Sequence, residues 1–400
     1  MIFFFKFRRW ALLLVLVIVS TVSVGQSIAG GKTSTTLAFE LIDNRVFVEV
    51  RLNGQGPFHF ILDTGASGYA LIDTAVRKLG LEMENAGEDG GVGEKTVQVS
   101  RCHLAQLQLG AWQLDDLEAE VFPANDTTNV FGTKPVDGII GLEVFDHFVV
   151  KQDYVQKVLT FTLPDKFNYH GAGVIVPFDL PRQIPVVDAE LDGIRGKFGV
   201  DTGARSSLLL YTPFVEQNHL REKYSAHLEG VTGWGIGGPV RSLLARAKEL
   251  KIGTIVVRDP VIRLSTQKQG LTTSSAMAGL IGPDVLSQFD VTFDYSRSRI
   301  IFEKNSQYGR RDSYDRAGLW MGQSGEHFVA IDVIAGGPAA AAGVQEGDII
   351  LAIDGTDTSK LILPDVREKI RREPVGNEMT LLLDSSGKRH SVVLKLRDLV

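Results

Sequence analysis

Short apolar runs alternate with polar positions along most of this chain, and they come in pairs joined by turn residues. Residues 46–52 alternate toward one face, Asn53-Gly54 marks a turn, and residues 58–62 run on as a second strand. The plan returns at residues 184–191, Asp192-Gly193 and 198–200. Helical signals are few and short. Thr212 reads as an N-cap with Pro213 at the first helical position. Short helices are also expected after Gly141 and after Gly282, where Pro283 suits a first turn. Past residue 317 the texture changes. A strand is predicted over 328–334, a helical turn over 338–342 ended by Gly343, and a strand inside 347–355. A helix over 364–372 and strands over 379–383 and 391–396 follow. The patterns give a mainly β chain with a small α+β unit at its C-terminal end.

The chain also repeats itself. Phe60-Ile61-Leu62-Asp63-Thr64-Gly65-Ala66-Ser67 returns as Phe198-Gly199-Val200-Asp201-Thr202-Gly203-Ala204-Arg205, an offset of 138. Leu109-Gly110 matches Ile252-Gly253 at an offset of 143. Gly138-Ile139-Ile140-Gly141 matches Gly279-Leu280-Ile281-Gly282, and Asp153-Tyr154 matches Asp294-Tyr295, both at 141. A nearly constant offset over four landmarks predicts two homologous lobes of about 130 residues each. The expected boundaries are 37–168 and 172–305, then a polar linker at 306–316 and a last domain at 317–400.

A single Asp-Thr-Gly is an ordinary turn; two at matched positions place two carboxyls on duplicate loops. Two carboxyls facing one water can hydrolyse an amide. Held a few ångströms apart they cannot both ionise, so they share a proton. One accepts from the water while the other donates to the substrate carbonyl. Gly65 and Gly203 permit a tight turn, and the hydroxyls of Thr64 and Thr202 can bond across to the opposite loop. With these motifs the chain resembles the retropepsin-like and pepsin-like aspartic peptidases over roughly residues 38–304. Those carry an Asp-Thr-Gly loop per lobe, followed late in the lobe by two apolar residues and a glycine. Here these are Ile139-Ile140-Gly141 and Leu280-Ile281-Gly282. The resemblance implies two homologous acid-protease-type β lobes forming one cleft. It implies catalytic roles for Asp63 and Asp201, and supporting roles for Thr64, Gly65, Thr202 and Gly203.

Two departures matter. Ala66 and Ala204 stand where the pepsin style has Ser or Thr, so fewer hydrogen bonds reach the charged carboxylate. A less acidic dyad, active at weakly acid to neutral pH, is expected. Arg205 stands where the first copy has Ser67; it either depresses the dyad's pKa values, lies outward, or pairs elsewhere. A flap closing over the substrate is expected from the glycine-rich stretches 87–93 and 230–238. Trp234 is then either a flap-tip side chain packing on the ligand or one exposed aromatic on a surface loop.

The run Pro338-Ala339-Ala340 to Ala342-Gly343-Val344, with Gly347-Asp348-Ile349-Ile350-Leu351-Ala352-Ile353-Asp354-Gly355, is similar to a PDZ domain. The resemblance implies a C-terminal peptide ligand added as a strand, its carboxylate held by loop amides. That loop is Gly318, Leu319, Trp320 and Met321, although Trp320 stands where the family often has glycine. A structural or interdomain role is the alternative. The apolar Asp398-Leu399-Val400 end offers self-recognition between molecules.

At the N-terminus, Lys6, Arg8 and Arg9 precede an apolar run from Trp10 to Val19 and then small residues. This is the order of an export signal over residues 1–29, with an uncleaved inner-membrane anchor as the alternative. An exported protein of the periplasm or the extracellular space is expected. Net charge is −6, and −9 without those three cations, so no general attraction for nucleic acid or anionic lipid is expected. Cys102 is the single cysteine, which rules out an internal disulfide and a cysteine-based metal site. There is no H-E-x-x-H, G-x-S-x-G or P-loop. Gly233 to Gly238 fits G-x-G-x-x-G, but Pro239 follows at once and no helix opens there. No metal and no cofactor are expected. The reading is an aspartic endopeptidase acting on protein or peptide substrates through Asp63 and Asp201. An inactive peptide-binding scaffold of the cell envelope is the rival.

Overall fold

The computed structural model describes residues 28–29, 32–124 and 130–400. The export signal expected at 1–29 lies outside the described residues save for its last two. Among the described residues no helix is long and apolar enough to cross a membrane.

Among the described residues up to Lys304, the strands form three sheets. Arg45–Leu52 buries Val46, Val48, Val50 and Leu52, and pairs antiparallel with Gln55–Leu62. Asn53 and Gly54 join them with φ of 49° and 74°, the double positive φ that a two-residue hairpin turn needs. Asp192 and Gly193, at 45° and 85°, do the same between Val186–Leu191 and Ile194–Val200. Each of these second strands then pairs in parallel with a three-residue strand. Leu62 lies opposite Ile140 in Gly138–Ile140, and Val200 opposite Ile281 in Gly279–Ile281. On its far side each short strand runs antiparallel to Tyr69–Ile72 or to Leu208–Leu210. Both aspartates thus leave the end of a buried strand at the same register.

The third sheet joins the lobes. Its order is Val174–Pro177, Arg299–Lys304, Phe289–Asp294, Val149–Asp153, Val158–Thr162 and Ser34–Ala38. Val150 of lobe 1 pairs with Phe293 of lobe 2. Behind it Phe145 packs on Phe293 and Tyr295, with ring centroids 5.5 and 5.2 Å apart. One apolar core runs through both lobes, so their mutual placement is set by packing and not by a hinge.

The C-terminal unit has its own core and a sheet ordered Leu319–Ser324, His327–Val333, Ile349–Ile353, Glu378–Ser385 and Lys388–Lys395. The helix Leu363–Arg372 covers one face, burying Leu363, Val366, Arg367 and Ile370. Two local expectations need correction. The connection at 306–316 is not a free tether: Asp312, Tyr314 and Asp315 are buried. Asp312 accepts from Ser207 Oγ and from the Val261 amide (2.8 Å), which pins it to lobe 2. Thr212 is the first residue of the helix Thr212–Gln217 and not its cap. Its hydroxyl turns to the Gln267 carbonyl (2.9 Å) instead of the helix amides.

Candidate active site

The Asp63 and Asp201 loops meet between the lobes, and their carboxyls lie within hydrogen-bond reach of each other. Four bonds between the loops hold them there. Thr64 Oγ1 donates to the Val200 carbonyl (2.7 Å) and accepts from the Thr202 amide (3.0 Å). Thr202 Oγ1 donates to the Leu62 carbonyl (2.8 Å) and accepts from the Thr64 amide (3.0 Å). Both hydroxyls are buried, so each bond is sheltered from competing water. The aspartate amides donate to the carbonyls of Ile140 and Ile281, each at 2.9 Å, which ties both loops to the apolar-apolar-Gly strands.

Within the loops, the Gly65 amide donates to Asp63 Oδ1 (2.7 Å), while Asp201 Oδ1 accepts from the amides of Gly203 (2.8 Å) and Ala204 (2.9 Å). A Cβ on either glycine would collide with an aspartate carboxyl across the loop pair, which explains their need. Burial raises the Asp63 carboxyl above the usual range against the pull of the Gly65 amide. Burial, the charge of Asp63 and its hydrogen bond push Asp201 up to about 8. A pair that holds one proton well into neutral pH is equipped for general acid and base roles at once.

Arg205 settles its three alternatives by pairing elsewhere. Its Nε reaches Asp43 Oδ1 at 2.6 Å and its guanidinium lies 5.3 Å from the Trp320 ring. Asp43 also holds Arg45 Nη1 at 2.8 Å, and Arg45 Nε donates to the Gly203 carbonyl (2.7 Å). Asp43, Asn44 and Arg45 were missed by the sequence reading. The available signal was a polar Asp-Asn pair between Leu41-Ile42 and Val46-Phe47, a hairpin turn and nothing more.

Both glycine-rich stretches are hairpins, and their tips meet. The Gly93 amide donates to the Ile236 carbonyl (3.0 Å) and the Lys95 amide to the Gly237 carbonyl (3.1 Å). Beneath them lies a cavity of about 730 Å³, lined by Asp63, Asp201, Arg45 and Trp234 among others. Its walls are largely apolar, with Ile61, Ile72 and Phe122 from lobe 1 and Leu209, Val240 and Leu280 from lobe 2. Trp234 is half-buried, lines this cavity and packs against the apolar cluster that holds Ile42, Phe47, Ile61 and Phe131. Among the described residues no group of three or more His, Cys, Asp or Glu side chains is placed to hold a metal ion.

The expected peptide-binding loop of the C-terminal unit faces inward, contrary to an open groove. The amides of Gly318 (2.6 Å) and Leu319 (3.3 Å) donate to Asp315 Oδ1 of the same chain. Trp320 is 5% exposed, with Arg367 4.6 Å from its ring centroid, and Met321 is in the core. Arg367 donates to the Met321 carbonyl and to the Val130 carbonyl of lobe 1 (2.5 Å). The chain end is also engaged in cis: Leu399 packs with Leu228 and Tyr314, and Arg246 donates to the Val400 oxygen at 3.0 Å.

Residues 48–144 match the aspartyl protease family, and residues 329–384 match the PDZ domain family. The chain therefore carries an aspartyl protease domain followed by a C-terminal PDZ domain, which supports a function of protease type. The first match covers Asp63 but stops before Asp201. No curated protein matches the chain.

Proposed function

We propose that the chain is an aspartic endopeptidase, in which Asp63 and Asp201 share one proton and activate one water between them. The meeting of two Asp-Thr-Gly loops beneath paired flaps carries this reading. The ionised member of the pair takes a proton from the water as it attacks the peptide carbonyl. The protonated member donates to the carbonyl oxygen, and the amine leaves with a proton returned through the same pair. The flap tips exclude bulk water, and the apolar walls favour substrates with apolar side chains on either side of the cut. The order of cations, apolar run and small residues at the N-terminus supports a site of action outside the cytoplasm, and the PDZ domain recruits or regulates.

The test is incubation of the purified protein with a peptide library, beside Asp63→Asn and Asp201→Asn. Either substitution is expected to lower cleavage by roughly 10²–10⁴-fold, the usual worth of a general acid or base. Cleavage that survives either variant removes the dyad assignment. Binding without cleavage by the wild type favours the scaffold reading.

A further inference from the structure

Asp43 and Asn44 form a turn at which lobe 1, the lobe-2 aspartate loop and the PDZ helix all meet. Their φ values, 48° and 67°, are those of a two-residue hairpin turn joining Glu40–Ile42 to Arg45–Leu52. The Asp43 side chain is 1% exposed and takes three guanidinium groups. Arg205 Nε lies at 2.6 Å, Arg45 Nη1 at 2.8 Å, and Arg367 Nη1 of the PDZ helix at 3.7 Å. Asn44 Nδ2 donates to the Arg205 carbonyl and to Asp284 Oδ1, both at 2.9 Å. Asp284 is met in turn by Arg371 from the same PDZ helix. Arg45, turned by Asp43, donates to the carbonyl of Gly203, whose amide holds Asp201.

We propose that Asp43 is a positioning residue of the candidate active site: its carboxylate sets Arg45 on the Gly203 carbonyl and ties that arrangement, through Arg367, to the docked PDZ helix. The physical ground is the cost of the alternative. Without the anion, three cations face one another in a buried cluster, and at least one must turn away. Burial pulls Asp43 upward, yet Arg205, Arg367 and Arg45 outweigh it and hold the carboxyl below the usual range. Burial, with smaller contributions from the charges of Arg205 and Arg45, pushes Arg367 down to about 10 even beside Asp43. The group most open to rearrangement is Arg45, which lines the cavity and whose charge already lowers Asp63.

This inference rests on the peptidase reading, so its test includes a readout that does not need cleavage. The dyad is faced by Arg45 and, from the lobe-2 turn, by Tyr295. The Asp43 cluster is faced by Arg45, Arg205 and Arg367, with Tyr314, Asp315 and Arg371 beyond them. In Asp43→Asn the Arg45 charge loses its counterion, so the Asp63–Asp201 pair should ionise at lower pH. The acid limb of kcat/KM is expected to move down by about half a pH unit or more. kcat is expected to fall about tenfold or more with KM changed less, since the loss is of geometry around the reacting water. Arg367→Met removes a cation that competes with Arg45 for Asp43, so it should shift the limb the opposite way by less, and Asp43→Glu should restore part of kcat. Carbon-13 NMR titration of the two aspartate carboxyls reads the same shift whether or not peptide is cut. If the wild type cuts nothing, the peptidase reading falls and the titration still decides this one. Should Asp43→Asn not fold, Arg45→Lys keeps the charge and loses the Nε bond; a titration and kcat matching wild type would overturn the proposal. So would a folded Asp43→Asn protein with an unshifted titration.

Discussion

Asp63 and Asp201 sit in equivalent loops, but their surroundings differ: two loop amides reach Asp201 and one loop amide of its own reaches Asp63. Burial nevertheless leaves Asp201 raised from 3.8 to about 8. A carboxyl raised on folding contributes stability that is full below 3.8 and lost as pH climbs through about 8. Asp201→Asn removes that loss. Its melting temperature should match wild type near pH 4 and exceed it by at least about 2 °C near pH 8; calorimetry at the two pH values checks this. Thr64→Val should act in the opposite sense, stranding the buried Val200 carbonyl and Thr202 amide at a cost of about 1–3 kcal/mol, read by denaturant unfolding. At this scale the sequence was legible where residues were duplicated. Asp63, Thr64, Asp201 and Thr202 announce one another at a fixed offset. Asp43 and Arg45 do not, because their partners Arg205, Gly203 and Arg367 lie more than 150 residues away and a charged turn is ordinary.

Among elements, the two flap hairpins depend on small residues at their crossing. A Cβ on Gly93 would stand 2.1 Å from the carbonyl carbon of Gly237, against backbone that cannot turn aside. Gly93→Ala should therefore part the tips without disturbing the core beneath them. An unchanged melting temperature with kcat/KM lowered about 10–100-fold is expected, the scale of a misplaced closing element. Steady-state kinetics beside calorimetry separate the two effects. The glycine-rich stretches were visible in the sequence as loops able to bend. That their tips would meet, with Gly93 and Lys95 donating to the carbonyls of Ile236 and Gly237, was not, because backbone pairing between distant tips leaves no side-chain pattern. The strands leading into each aspartate were the easiest elements to read. Alternation toward a buried face and double positive-φ turns are local properties, as at Val46 to Asn53 and at Asp192-Gly193.

In the whole molecule the PDZ domain is packed onto the lobes and not strung beside them. Asp332, on a PDZ strand, accepts from the Val231 amide (2.8 Å) and from Arg241 (2.6 Å), one on each strand of the lobe-2 flap hairpin. Asp312 accepts from the Val261 amide and Arg371 meets Asp284, two further ties to lobe 2. Removing residues 306–400 would uncover Leu228, Leu244 and Val261 and unpair Arg205 from Trp320. The truncated chain should melt lower and be cut by added protease at the hairpin Leu228–Arg246, while the full chain melts in one cooperative step. The domains themselves were legible, from the repeat and the Gly-Asp-Ile-Ile run. Their docking was not, because it rests on buried arginines that in sequence look like solvated helix charges. Two carboxyls that share a proton into the neutral range should show themselves in the pH dependence of cleavage. The measurement that tests this most directly is kcat/KM for one cleaved peptide from pH 3 to 9, with Asp201→Asn alongside. The expected result is a bell whose alkaline limb falls near pH 8, and no bell in the variant. Activity confined to strongly acid pH, or a variant that follows the wild-type curve, would contradict it.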